Sequence, residues 1–188
     1  MLGTHVFDLM RCFAADPEWV FAHVTESSRD VQAGMKRAAS EPVGPIAGDS
    51  IAAMFGFPNG VHGYFASQRN DLKNGRRFGV SLHGSKAVVF VPLTDVPSAP
   101  PYILRQPAWA GGAWSRIDYP AGTRPATRAQ TNAAMALDLL RAIESGGEPA
   151  CSARDARWTI EMVAGIYQSH LSAARIRFPL AKRTSLLS

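Results

Sequence analysis

The chain predicts an α+β fold, with helices packed on one face of a mostly antiparallel sheet. Three observations carry this. The middle of the chain holds short strand-like runs joined by turns of about three residues, the connection of a hairpin. Helical periodicity is found at both ends but not between them. The last third, Thr131 to Leu180, reads as helix, Gly-Pro break, helix and short strand.

In order, Thr4 to Ala14 places Val6, Leu9, Met10 and Phe13 at i, i+3, i+4 and i+7, the buried face of a short helix with Thr4 as its N-cap. Gly3, just before that cap, lets the backbone turn tightly or come close to a ligand. His5, Asp8 and Arg11 are three apart and share a different, polar face. Asp16-Pro17 breaks the helix, and Glu18 to Thr25 follows as a strand. Residues 26–48 are rich in Ser, Ala, Gly and Pro, a loop with room for one helical turn from Val31 to Ala39.

Two hairpins come next. Ile51 to Phe57 and Val61 to Ser67 are joined by Pro58-Asn59-Gly60, with glycine where positive φ is wanted. Phe78 to His83 and Ala87 to Val91 are joined by Gly84-Ser85-Lys86. The run AVVFV is apolar throughout, which predicts cover on both faces. Further strands are expected at Tyr102 to Arg105 and Ser115 to Tyr119, among long Pro- and Gly-containing connections.

The C-terminal third has a cause at every boundary. Thr127 with Gln130 forms a capping box, and Met135, Leu139 and Ile143, widened by Ala136 and Leu140, make an apolar stripe. Gly146, Gly147 and Pro149 stop that helix. Ser152 with Asp155 opens the next, whose face is Ile160, Val163, Ala164, Tyr167 and Leu171. Arg175 to Phe178 alternates as a strand does, and Pro179 closes it.

Composition narrows the classes. With 46% apolar and 19% charged residues, the 188-residue chain is that of a soluble globular protein, here taken as one domain. No apolar run reaches the length of a membrane span, and Asp8 and Arg11 interrupt the first apolar stretch, so no signal peptide is expected and the cytoplasm is the default compartment. Cys12 and Cys151 lack metal or redox spacing, and no metal is expected. The net charge of +5 is scattered, with local groups at Arg69–Arg77 and Lys182–Arg183 and no helix-turn-helix, zinc-finger or RNP-like pattern, which argues against nucleic acid.

The ordered set SIAAMFGFPNGVHGYF, FGVSLHGSKAVVF, DLLRAIESGGEP, RWTIEMVAGIYQSH and ARIRFPL resembles the C-terminal half of Gfo/Idh/MocA oxidoreductases, the NAD(P)-dependent enzymes named after glucose–fructose oxidoreductase and inositol dehydrogenase. The resemblance covers nearly the whole chain. It implies an open-faced, largely antiparallel sheet with helices on one face, the other face forming a homo-oligomer interface. It also implies a sugar-like or polyol substrate, with hydride passing to or from NAD or NADP. In this family a Gly-x-His at the start of a helix supplies a catalytic histidine, and Gly3-Thr4-His5 matches it. By the same resemblance His5 is the catalytic acid–base, with Thr4, Asp8 and Arg11 the candidate substrate-binding residues beside it. A neutral imidazole so placed can take the proton of a substrate hydroxyl.

Three family features have no counterpart here. The Asp four residues before the histidine falls on Met1, and neither a Glu-Lys-Pro-like motif nor a G-x-G-x-x-G turn occurs. The Gly60-Val61-His62-Gly63 run lies within a strand rather than opening a helix. No cofactor is therefore expected on this chain alone, with NAD or NADP held by a separate Rossmann half. The alternative function is a non-catalytic binding or assembly module derived from this domain.

Overall fold

The computed structural model describes residues 2–39, 46–69, 79–93, 100–120 and 127–183. The expectations that touch Met1, Arg77 and Phe78 lie outside them. The described chain forms two compact units, one from Met1–Gly75 with Ala153–Ser188 and one from Arg76–Ser152.

The first unit is a sheet with two helices on one face. Strands β1 (Trp19–Glu26), β2 (Arg29–Asp30), β3 (Ser50–Gly56) and β4 (His62–Gln68) lie in the order β2-β1-β3-β4, and β9 (Ile176–Arg177) also pairs with β1. Every pairing is antiparallel. Register places Val20 opposite Phe55 and Ala22 opposite Ala53, so one face carries the buried residues Val20, Ala22, Val24, Ala53 and Phe55. Helices α1 (Leu2–Ala14) and α3 (Ala153–Ser172) cover that face, adding Phe7, Met10, Met162 and Ile166 to one apolar core. The Phe7 ring sits 4.6 Å from Phe65 and 5.6 Å from Phe55, centroid to centroid. The other face of the sheet is open, with Phe21 47% and Tyr64 76% exposed.

Helix α3 also completes the edge of β1. Strand β9 pairs with β1 at Trp19 and Val20, and β2 pairs at Thr25 and Glu26. Between these the amide of Ala22 donates to Ser169 Oγ at 2.9 Å, and that of Val24 to His170 Nδ1 at 3.2 Å. His170 Nε2 then donates to the Val31 carbonyl at 2.8 Å, and both ring nitrogens are satisfied by main chain. His170 thus has a structural role.

Several local expectations are corrected. The first helix begins at Leu2, which puts Thr4 inside it rather than at its cap. Packing of Phe7 on Phe65 and Phe55 draws the helix back over the sheet, and Gly3 rests 3.5 Å from the Phe65 ring by its virtual Cβ. Its buried residues are Phe7 and Met10, whereas Phe13 is exposed. No helical turn forms in the described part of Val31 to Ala39. After β2 the chain instead makes a turn closed by the Met35 amide on the Gln32 carbonyl, then a bridge between Arg37 and Ile46 held by two backbone hydrogen bonds. In α3 the fully buried side chains include Thr159, Met162, Ile166 and Ser169; Val163 and Tyr167 pack half-buried against the core as expected, but Ile160 faces out. The turn at Pro58-Asn59-Gly60 is as expected, with φ of 60° at Asn59 and 73° at Gly60.

The second unit contains an antiparallel sheet in the order β5 (Gly79–His83), β6 (Val88–Pro92), β7 (Tyr102–Leu104), β8 (Ser115–Arg116), and the helix α2 (Arg128–Ser145). The capping box of Thr127 and Gln130 is present in both directions, and Gly146 ends the helix in the left-handed conformation. In β6 only Phe90 is buried and the valines are half-buried, so this strand is not covered on both faces as expected. The stripe of α2 is the larger correction: Met135, Leu139, Leu140 and Ile143 are all exposed, because nothing in the described unit lies across them.

Candidate functional site on the first helix

The four residues singled out by sequence all lie on α1, and their surroundings differ sharply. His5 is exposed in the first turn of the helix, and among the described residues no side chain hydrogen-bonds to it. Thr4 is half-buried beside it. Asp8 stands one turn on, its carboxylate 3.5 Å from Arg11 Nη1.

Arg11 is committed elsewhere. Its side chain is only 10% exposed, with Nε 2.7 Å from Asp16 Oδ1 and Nη2 2.9 Å from Asp155 Oδ1. Nη1 also donates to the Asp155 carbonyl at 3.1 Å, and the guanidinium lies 5.9 Å from the Trp158 ring centroid. Burial alone would lower the guanidinium pKa, but hydrogen bonds and charge from Asp155 and Asp16 outweigh it and the value is raised. Arg11 therefore remains charged and locks α1 to the start of α3. Sequence spacing identified the Asp8–Arg11 pair but not Asp155, whose only signal was its place in the first turn of a helix 144 residues away.

The arrangement offers one exposed imidazole and one partly exposed carboxylate on a helix anchored to a rigid sheet. That suits proton transfer to a molecule lying against the outer side of α1. Of the other exposed histidines, His62 and His83 sit at strand ends, and His23, within β1, lies 2.8 Å from Asp30. Among the described residues there is no His, Cys, Asp and Glu cluster able to hold a metal ion, and no helix is long and apolar enough to cross a membrane.

The described residues do not fit a dinucleotide. All strand pairings are antiparallel, and no described helix is entered from a strand through a glycine-rich turn that would bring backbone amides to a pyrophosphate.

The sequence matches no protein-family model and no curated protein sequence. Solved structures do match. Levoglucosan dehydrogenase, in complex with NADH and L-sorbose, superposes with a TM-score of 0.67 at 18% identity, over 95% of this chain and 49% of its own. An oxidoreductase domain protein from Kribbella flavida gives 0.63 at 19% identity, over 94% and 48%. Aldose-aldose oxidoreductase from Caulobacter crescentus, complexed with glycerol, gives 0.63 at 18% identity, over 94% and 46%. The chain spans about half the length of the solved structures it matches. Antiparallel sheets, three helices and this likeness together establish an α+β fold, that of the C-terminal domain of Gfo/Idh/MocA-type oxidoreductases.

Proposed function

We propose that this chain is the C-terminal, substrate-binding and oligomerisation part of a Gfo/Idh/MocA-like NAD(P)-dependent oxidoreductase acting in the cytoplasm on a sugar or polyol. The carrying observation is the fold, shared over 95% of the chain with an enzyme solved with NADH and a sugar. In this reading both compact units serve as one functional domain. The nicotinamide cofactor belongs to a Rossmann half and not to this chain, whose own residues do not fit it. His5 accepts or returns the proton of the substrate hydroxyl, with Thr4 and Asp8 contributing contacts to that substrate. Arg11 acts through Asp8, which it orients. The open face of the first sheet, with Phe21, Met54 and Tyr64 in one cross-strand row, is the surface on which two copies meet.

The test is to supply a dinucleotide-binding half from a structural neighbour, fused or co-expressed, and follow NAD(P)H absorbance with a panel of aldoses and polyols. Turnover that His5→Gln abolishes, while cofactor binding persists, supports the reading. Stable association of the two halves without turnover on any member of the panel favours the second reading, a non-catalytic assembly module. The observation behind that alternative is the same open sheet face together with an Arg11 held by Asp16 and Asp155.

A further inference from the structure

Of the described asparagines, Asn59 and Asn132, only Asn59 is followed by glycine. Asn59 and Gly60 form the exposed tip of the hairpin between β3 and β4, at φ of 60° and 73°. Among the described residues the Asn59 side chain has no hydrogen-bond partner. A Cβ on Gly60 would meet nothing within 4 Å, so the main chain that follows Asn59 is open to water. The bond across the tip, from the Val61 amide to the Pro58 carbonyl, is 3.4 Å long, which is weak for an N–H donor.

That combination is chemically reactive. The main-chain nitrogen of Gly60, once hydroxide has taken its proton, attacks the side-chain carbonyl carbon of Asn59, and glycine has no side chain to obstruct it. A C–N bond forms, ammonia leaves and a five-membered succinimide closes. Water then opens the ring at one carbonyl or the other. One opening gives aspartate, and the other gives isoaspartate, whose main chain runs through the former side chain. At ψ of 25° the Gly60 nitrogen is turned away from the Asn59 side chain, so closure waits on rotation of that bond. The rotation breaks the long Val61–Pro58 bond, and an exposed loop tip opens at little cost.

We infer that Asn59 is a site of spontaneous modification, converted through a succinimide to isoaspartate and aspartate as the folded protein ages. The inference stands apart from the proposed catalysis. Isoaspartate adds a methylene to the main chain and places a carboxylate on the tip. The strands have no slack for the extra length, because they pair in register up to Gly56 and His62. It falls instead on residues 57–61, where the buried Phe57 donates its amide to the Val61 carbonyl at 2.8 Å. The modification therefore loosens this end of the hairpin beside a core residue.

The full chain is held in mildly alkaline buffer, folded and in urea, and digested with trypsin at intervals. Cleavage after Arg37 and Arg69 isolates residues 38–69 from the Asn74-Gly75 pair, which lies outside the described residues. Mass spectrometry with electron-transfer fragmentation then measures aspartate and isoaspartate at position 59. The folded chain should accumulate both, with isoaspartate in excess, at a rate within roughly ten-fold of that in urea. In an Asn74→Ser background, aged protein should unfold at lower urea than fresh Asn59→Asp, which carries the charge without the added methylene. Residues 38–69 left unmodified, or modified more than about ten-fold slower than in urea, overturn the inference. Aspartate without isoaspartate overturns the succinimide route. Equal midpoints for aged protein and Asn59→Asp overturn the loosening of the hairpin.

Discussion

Arg11 Nη2 meets Asp155 Oδ1 at 2.9 Å, joining the first helix of the chain to the first turn of α3 across 144 residues of sequence. Because Asp16 holds the same guanidinium at 2.7 Å and Asp8 lies 3.5 Å from it, removing Arg11 takes one shared cation from three carboxylates. Arg11→Ala should therefore cost roughly 2–4 kcal/mol in urea unfolding. Arg11→Lys should recover only part of that, since an ammonium cannot make the forked contact. A loss equal to that of an ordinary surface substitution would show that the network is not formed in solution.

Glu161 sets the course of the chain after β9. Its side chain is 4% exposed, and Oε2 accepts the amide of Leu180 at 2.9 Å while Oε1 accepts Arg183 Nε at 2.8 Å. Glu161→Ala strands the buried Leu180 amide, while the half-exposed Arg183 turns to water, and should destabilise by about 1–3 kcal/mol. Trypsin should then cut at Lys182 and Arg183 faster than in the unaltered protein. Unchanged cutting would mean that the segment is held by Leu180 packing alone.

Tyr167 gives a pH dependence with a definite sign. Burial raises its pKa, and the phenol donates a hydrogen bond to the Ala47 carbonyl at 2.7 Å. A phenol raised in the folded state supports the fold fully below its unfolded pKa of about 10, and that support fades as pH climbs through the higher folded value. Denaturation midpoints should thus fall more steeply above pH about 10 in the unaltered protein than in Tyr167→Phe. The variant should also be weaker near neutrality by about 1 kcal/mol for the lost hydrogen bond. Parallel alkaline profiles would contradict this.

The apolar stripe of α2 should bind an environment-sensitive dye when the chain is alone. Replacing Leu140 and Ile143 by Lys should lower that fluorescence without lowering the melting temperature, because neither side chain packs in the described unit. A fall in melting temperature would instead show that the stripe is covered.

How far the sequence reveals all this depends on whether a signal is local. The capping box at Thr127, the turn at Asn59-Gly60 and the alternation of the hairpin strands rest on neighbours, and they read directly. The burial of α1 and α3 does not. Phe13 and Ile160 fit an apolar period as well as Phe7 and Met162 do, and only the position of the sheet decides between faces. The same limit hid Asp155 and the seating of His170 on β1. His5 is the opposite case: its place on an exposed helix start was legible, while its chemistry depends on what lies against α1.

The first unit is assembled from the two ends of the sequence, with the second unit inserted between them. On the ribosome, its early strands emerge with Val20 and Val24 lacking the cover of α3 until Met162 and Ile166 have been made. At roughly 5–20 residues per second that wait lasts on the order of 5–20 s. Throughout it the nascent sheet presents apolar surface on both sides, one awaiting its own helix and the other already facing out. The fold thus makes the newborn chain a natural client for chaperones, and synthesis speed through the inserted segment a determinant of yield.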